Sequence, residues 1–130
     1  MGSTYLMDTH VLLWFLSGDD SLSVKVKKIL KNTSNPCFVS IASIWEIAIK
    51  LNIGKLQLDY DFDKLAELLY DNEIEIIQMT FDHVSTLLTL DDFHRDPFDR
   101  IILSTAKFEQ IPIISKDQAF SNYEGVEVVW

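Results

Sequence analysis

The chain has 130 residues, 48% of them hydrophobic and 12% aromatic, enough to bury one core without disulfides or structural metal. Its formal net charge of -9 speaks against a uniformly basic surface of the kind that carries non-specific nucleic-acid binding. No apolar stretch approaches the roughly 18 residues of a membrane span, and the start MGSTYLMD lacks the basic and then apolar pattern of a signal peptide.

Cys37 is the only cysteine, so no internal disulfide forms, and its apolar neighbours in CFV mark a small core residue rather than a nucleophile. A reducing, cytoplasmic setting away from membranes is expected. The acidity is regional. Residues 56–92 hold ten acidic side chains and one base, Lys64, for a net of -9, which leaves ten acids and ten bases elsewhere.

In chain order, TYLM reads as a buried first strand, followed by a helical DTHVLLWFL and a turn at SGDD. Ser21 or Ser23 caps a helix with Leu22, Val26, Ile29 and Leu30 on one face and Lys25, Lys28 and Lys31 away from it. Asn35-Pro36 breaks the chain before a short strand CFV. Ser40 then caps a long helix, IASIWEIAIKLNI, ending at Gly54. A further helix opens near Asp61 and runs to about Tyr70, IEIIQM is strand-like, and FDHVSTLLTL is helical. The last third places a helix from Pro97 to about Phe108, a strand IPIIS and a closing strand VEVVW.

Short strands alternating with longer helices predict a single α/β domain over residues 1–130. Its central sheet has about five mainly parallel strands with helices on both faces. In open parallel sheets ligands sit beyond the carboxyl ends of the strands. Asp8 directly follows TYLM, Asp117 follows the strand IPII, and Asp99 sits in the first turn of its helix, in HRDPFDR. Glu46 lies about two turns into the helix after CFV, and helical side chains lean N-terminally, toward the same edge.

Each acid also has a structural explanation. Asp96 is a good N-cap, Pro97 suits the first helical position, and Asp99 falls at the third. Asp99 nevertheless lies on a helix that is apolar nearly all round. Glu46 is placed to pair with Lys50 at i, i+4, worth roughly 0.2–0.5 kcal/mol on a surface. Between Ile41 and Ile49, however, it is the only charged residue, and an uncompensated carboxylate in apolar surroundings is costly. Asp8 and Asp117 each suit a helix cap as well. Four carboxylates converging on one edge raise one another's pKa unless a cation sits among them. Oxygen ligands select hard ions, so Mg²⁺ or Mn²⁺ and phosphoryl chemistry fit such a cluster.

Other motifs fail on spacing. Asp59, Asp61 and Asp63 mimic the start of a calcium loop, but Lys64 stands where glycine is needed and Tyr70 where glutamate is needed. No dinucleotide or Walker loop exists, and His10, His83 and His94 have no zinc spacing. Trp14, Trp45 and the phenylalanines read as core rather than as base-stacking platforms.

The blocks YLMDTHVLLW, VSIASIWEIAIK, HRDPFDRIILSTA and IISKDQAF, in this order, resemble a PIN domain, specifically the VapC-type toxins of bacterial and archaeal toxin–antitoxin pairs. Any one block is weak and the ordered set is specific. It spans about Tyr5 to Phe120, and residues 55–92 carry little of it. The resemblance implies that Asp8, Glu46, Asp99 and Asp117 are the family's catalytic and metal-binding acidic quartet, with Ser115 near the metal. It implies a Mg²⁺- or Mn²⁺-dependent endoribonuclease with an RNA substrate and a cognate antitoxin, working as a homodimer. In that scheme Asp8, Asp99 and Asp117 hold metal directly or through water, and Glu46 binds metal or orients the attacking water. His94, Arg95, Arg100 and Lys116 are open between contact with the RNA backbone and solvent.

Three rivals share parts of this pattern. A receiver-type signalling domain needs paired acids after the first strand, where Asp8 is alone. A haloacid-dehalogenase-type phosphatase needs a second aspartate in D-x-D, where this chain has Asp8-Thr9-His10. A PIN-like domain that binds a partner or RNA without cutting is the third.

Overall fold

In the computed structural model the described residues are 3–92 and 96–130. The elements, in chain order, are β1 Tyr5–Met7, α1 Thr9–Ser17, α2 Val24–Lys31, β2 Cys37–Ser40, α3 Ile41–Asn52, α4 Lys64–Asp71, β3 Ile74–Ile77, α5 Phe81–Thr86, α6 Pro97–Glu109, β4 Ile113–Ile114 and β5 Val128–Val129. Short 3-10 turns cover Leu87–Thr89 and Gln118–Asn122. The five strands form one sheet in the order β3-β2-β1-β4-β5, and every pairing is parallel.

Strand alternation builds two core layers. Tyr5 and Met7 face one layer and Leu6 the other; Ile114 and Ile113 divide the same way. The first layer collects Val11 and Leu12 from α1, Val26 from α2, Ile47 from α3 and Leu65 and Leu69 from α4. The second collects Ile102, Leu103 and Ala106 from α6, with Phe120 and Tyr123. Both faces are therefore covered, and β1, the middle strand, carries the apolar run that position demands.

Helix starts follow cap chemistry. Ser23, not Ser21, caps α2, its side chain accepting from the Val26 amide at 3.1 Å, while the Ser21 amide bonds to Asp19. Ser40 is both the last residue of β2 and the cap of α3, accepting from the Ala42 amide at 3.0 Å. Several elements are shorter than their sequence patterns. The helix expected near Asp61 begins at Lys64, after a turn in which the Lys64 amide reaches the Asp61 carbonyl at 2.9 Å. FDHVSTLLTL divides into α5 and a 3-10 turn, and Gly54, at φ 75°, lies beyond the end of α3. Strands β4 and β5 hold two residues each, because only those pair in the sheet.

Trp45 and several phenylalanines depart from the core reading. Trp45 is 58% exposed and packs edge-on against Phe98 at 5.2 Å, and Phe81 is 87% exposed. Cys37 is buried as expected, and burial pushes its thiol up to about 11. Among the described residues no helix is long and apolar enough to cross a membrane.

Candidate active site

The strand order runs outward from β1 in both directions, which puts the topological switch between β1 and β4. A cavity of about 370 Å³ opens there. Its walls include Asp8 after β1, Glu46 and Lys50 on α3, Asp96 and Asp99 at the head of α6, and Lys116 and Asp117 after β4. Five carboxylates from four separate parts of the chain thus face one space, with His10 and Trp14 on its rim. All four acids singled out in the sequence are among them.

Asp8 occupies the N-cap position of α1 but makes no side-chain cap bond there. Its Oδ2 instead accepts from the Ser115 hydroxyl at 2.9 Å, and the residue is 6% exposed. Burial raises its pKa above the ordinary 3.8, and the Glu46 charge adds to the rise; Ser115, His10 and the Thr9 backbone oppose it. Ser115 also accepts the Asp117 amide at 3.1 Å, so one buried hydroxyl fixes both aspartates relative to β4. Asp117 in turn caps the Gln118–Asn122 turn through the Ala119 amide.

Glu46 is 4% exposed and fully engaged. Thr9 Oγ1 lies 2.8 Å from both Glu46 Oε1 and Ser43 Oγ; with a single proton it donates to the carboxylate and accepts from the serine. The Lys50 ammonium stands 2.9 Å from Glu46 Oε2. The i, i+4 pairing therefore forms and Glu46 is also buried. In the sequence these two features stand as alternatives; they coexist because Lys50 keeps its stem half-exposed while its head turns into the cavity. The Glu46 hydrogen bond and, beyond it, the charges of Asp96 and Asp99 raise the Lys50 pKa.

Asp96 does two jobs. Its Oδ1 accepts from the Phe98 and Asp99 amides at 2.8 and 3.3 Å, with Pro97 in the first turn, and it also lines the cavity. Asp99 is half-buried in the same turn. Arg100 is drawn to a neighbouring loop, its guanidinium donating to the Asp91 carbonyl at 3.1 Å. Lys116 is exposed, with its ammonium 5.8 Å from the Trp14 ring centre. His94 and Arg95 lie outside the described residues.

The five carboxylates offer only oxygen, which suits a hard divalent ion. Among the described residues no three acidic, histidine or cysteine side chains already stand close enough to cage a metal. A cavity wall of separated carboxylates fits Mg²⁺, which keeps several waters and takes only one or two carboxylates directly. A cation there would relieve the burden on Asp8, buried beside another carboxylate. Thr9, Ser43, His10, Trp14 and Lys50 were not assigned to the site from sequence. Thr9 follows Asp8 directly, and Ser43-x-x-Glu46 and His10-x-x-x-Trp14 share helix faces, so only the spacing hinted at them.

An α/β domain with an acidic cavity at the switch point of a parallel sheet is the class that fold and site define. A family profile, the PIN domain, matches residues 5–126. The chain belongs to the PIN-domain family. No curated protein matches it. Among solved structures it is similar to a chain of VapBC2 from Rickettsia felis bound to a promoter DNA fragment, at TM-score 0.70 and 16% identity, covering 98% of both chains. DNA-bound VapBC from Salmonella typhimurium matches at TM-score 0.69 and 11% identity, over 99% of this chain and 98% of the other. A toxin–antitoxin complex from Klebsiella pneumoniae matches at 0.64 and 19%, over 97% and 96%.

Proposed function

We propose that this chain is a Mg²⁺- or Mn²⁺-dependent endoribonuclease and the toxin of a toxin–antitoxin pair. The observation that carries this reading is the convergence of Asp8, Glu46, Asp99 and Asp117 on one cavity at the sheet's switch point. The similarity to VapBC complexes favours the toxin assignment and a cognate antitoxin as partner. Homodimerisation and antitoxin binding would cover exposed apolar side chains such as Phe81 and Leu88. The expected place of work is the cytoplasm.

In this mechanism Asp8, Asp99 and Asp117 would hold a divalent ion directly or through water, and Glu46 would bind it or orient the attacking water. A bound divalent ion supplies Lewis acidity toward the phosphate and lowers the pKa of a water. Ser115 holds Asp8 and Asp117 in register, and Thr9 aims Glu46. Lys50 and Lys116 bring the positive charge that a phosphodiester needs among so many acids. Hydrolysis at the 3′ oxygen leaves a 5′-phosphate and a 3′-hydroxyl, the pattern the family resemblance implies.

The test is cleavage of single-stranded RNA by purified protein with Mn²⁺ or Mg²⁺ and with EDTA. Cleavage that needs the ion and disappears in Asp99→Asn and Glu46→Gln, with circular dichroism unchanged, is the expected result. Metal-independent cleavage, or variants as active as the parent, overturns it.

A further inference from the structure

His10 and Trp14 line the acidic cavity and also wall a second one, of about 320 Å³. The far side of this second space comes from α1 and from the connection between α3 and α4, notably Gln57, Leu58, Asp59 and Tyr60. Trp14 anchors an aromatic group at the boundary: His10 lies 5.9 Å away and Trp130 stands edge-on at 6.1 Å. The Lys116 ammonium, itself on the acidic cavity's wall, lies over the same indole.

The two spaces differ in chemistry. The described residues lining the second cavity include two carboxylates, Asp19 and Asp59, and neither lysine nor arginine, so phosphate is poorly served there. Two aromatic rings, Trp14 and Tyr60, and leucine side chains suit a flat apolar ring. Asp59 and Gln57 add hydrogen-bond acceptors at its edge. The Asp59 charge reaches Tyr60: burial and, after it, that charge raise the phenol's pKa.

We propose that this second cavity receives the base of the nucleotide next to the phosphodiester held at the carboxylates, and that the favoured base carries an exocyclic amino group. The proposal rests on the nuclease reading of the acidic cavity. Stacking on aromatic side chains is how proteins take up splayed single-stranded bases, at about 1–3 kcal/mol per base. Carboxylates and glutamine oxygens accept from the amino groups of cytosine and adenine. Uracil has no amino group, and its one ring N3–H sits between two carbonyl oxygens that the Asp59 carboxylate repels, so it is the disfavoured occupant. The lysines Lys50 and Lys116 stay on the phosphate side, and the path from base to phosphate crosses Trp14.

The experiment is fluorescence anisotropy of labelled tetranucleotide RNAs with the whole chain in Ca²⁺ buffer, with probe integrity checked on a gel. Oligonucleotides containing amino-bearing bases bind more tightly than oligo-U. Tyr60→Ala weakens them about 5- to 150-fold, and Tyr60→Phe, which keeps the ring, does not. Asp59→Ala, at an exposed position, removes the carboxylate acceptor and shrinks the preference over oligo-U. Equal binding of all oligonucleotides by the parent chain, or Tyr60→Ala and Asp59→Ala indistinguishable from it, overturns the proposal; so does absence of RNA binding. Mn²⁺-induced thermal stabilisation and the loss of cleavage in Asp99→Asn score the nuclease reading separately.

Discussion

Lys50 and Glu46 form an ion pair, 2.9 Å long, inside the cavity rather than on a solvated face, so a buried carboxylate carries its own counter-ion one helical turn away. A divalent ion bound at Glu46, as proposed, would compete with that ammonium for the carboxylate. In Lys50→Met the competition is gone, but so is the charge that compensates buried Glu46. Removing one partner of a charge-assisted hydrogen bond costs about 1.5–3 kcal/mol. The expected outcome is a metal-free protein that melts earlier than the parent and gains more in melting temperature from Mn²⁺. Thermal melts with and without Mn²⁺ check it; equal gains in both proteins count against the competition.

Asp8→Asn should stabilise the metal-free protein at pH 7 while abolishing cleavage. Folding raises the Asp8 pKa above its ordinary 3.8. Above the folded pKa both states are ionised and the native state bears the whole penalty of a buried charge; below the unfolded pKa neither does. The melting-temperature advantage of the variant is therefore full at neutral pH and shrinks as pH falls through the folded value toward the unfolded one. Melts taken from about pH 7 down to about pH 3, a range that spans the ordinary carboxylate value, reveal this. An advantage that does not change with pH contradicts it.

Ser115→Ala removes the donor to Asp8 and the acceptor of the Asp117 amide together, so that both aspartates lose the contact that sets their orientation. Groups that orient metal ligands are worth about 10–100-fold in metal affinity or activity. A loss of Mn²⁺ affinity of that size, restored by Ser115→Thr, is expected in calorimetric titration. An alanine variant that binds Mn²⁺ as the parent does would reduce Ser115 to packing.

Cys37 should resist thiol reagents in the native state. It is 6% exposed and its thiol is pushed up to about 11, so at pH 7 the thiolate is about one part in ten thousand. Ellman's reagent is expected to react at the rate of unfolding, and guanidinium to make the reaction immediate. Rapid native-state labelling would mean that the start of β2 opens readily.

Where local chemistry decides, the sequence was legible. The N-cap and proline of Asp96-Pro97, the Ser40 cap and the apolar runs of β1, β2 and β4 determined element type and placed four acids at one edge. Strand ends at β4 and β5 were not legible, because length there depends on which partner residues pair. Trp45 and Phe81 misled because an aromatic residue is apolar whether or not the fold covers it. The Lys50 pairing was visible as spacing, but its burial was not, since that depends on α6 bringing Asp96 and Asp99 across from α3. The second cavity was invisible because its walls come from two distant segments, residues 10–19 and 56–60.

Ser40 ends β2 and caps α3 with no intervening loop, and Asp8 alone separates β1 from α1. One residue inserted at either junction turns the following helix by about 100° relative to the sheet. Glu46 or Thr9 would then point away from the cavity. The connection over residues 53–63 ends in no such constraint. Length changes in that connection, outside the core-packed Leu56, Leu58 and Tyr60, leave the site's geometry in place, whereas the two junctions must keep their length. Insertions and deletions divide the molecule into a part that must keep count and a part that can drift.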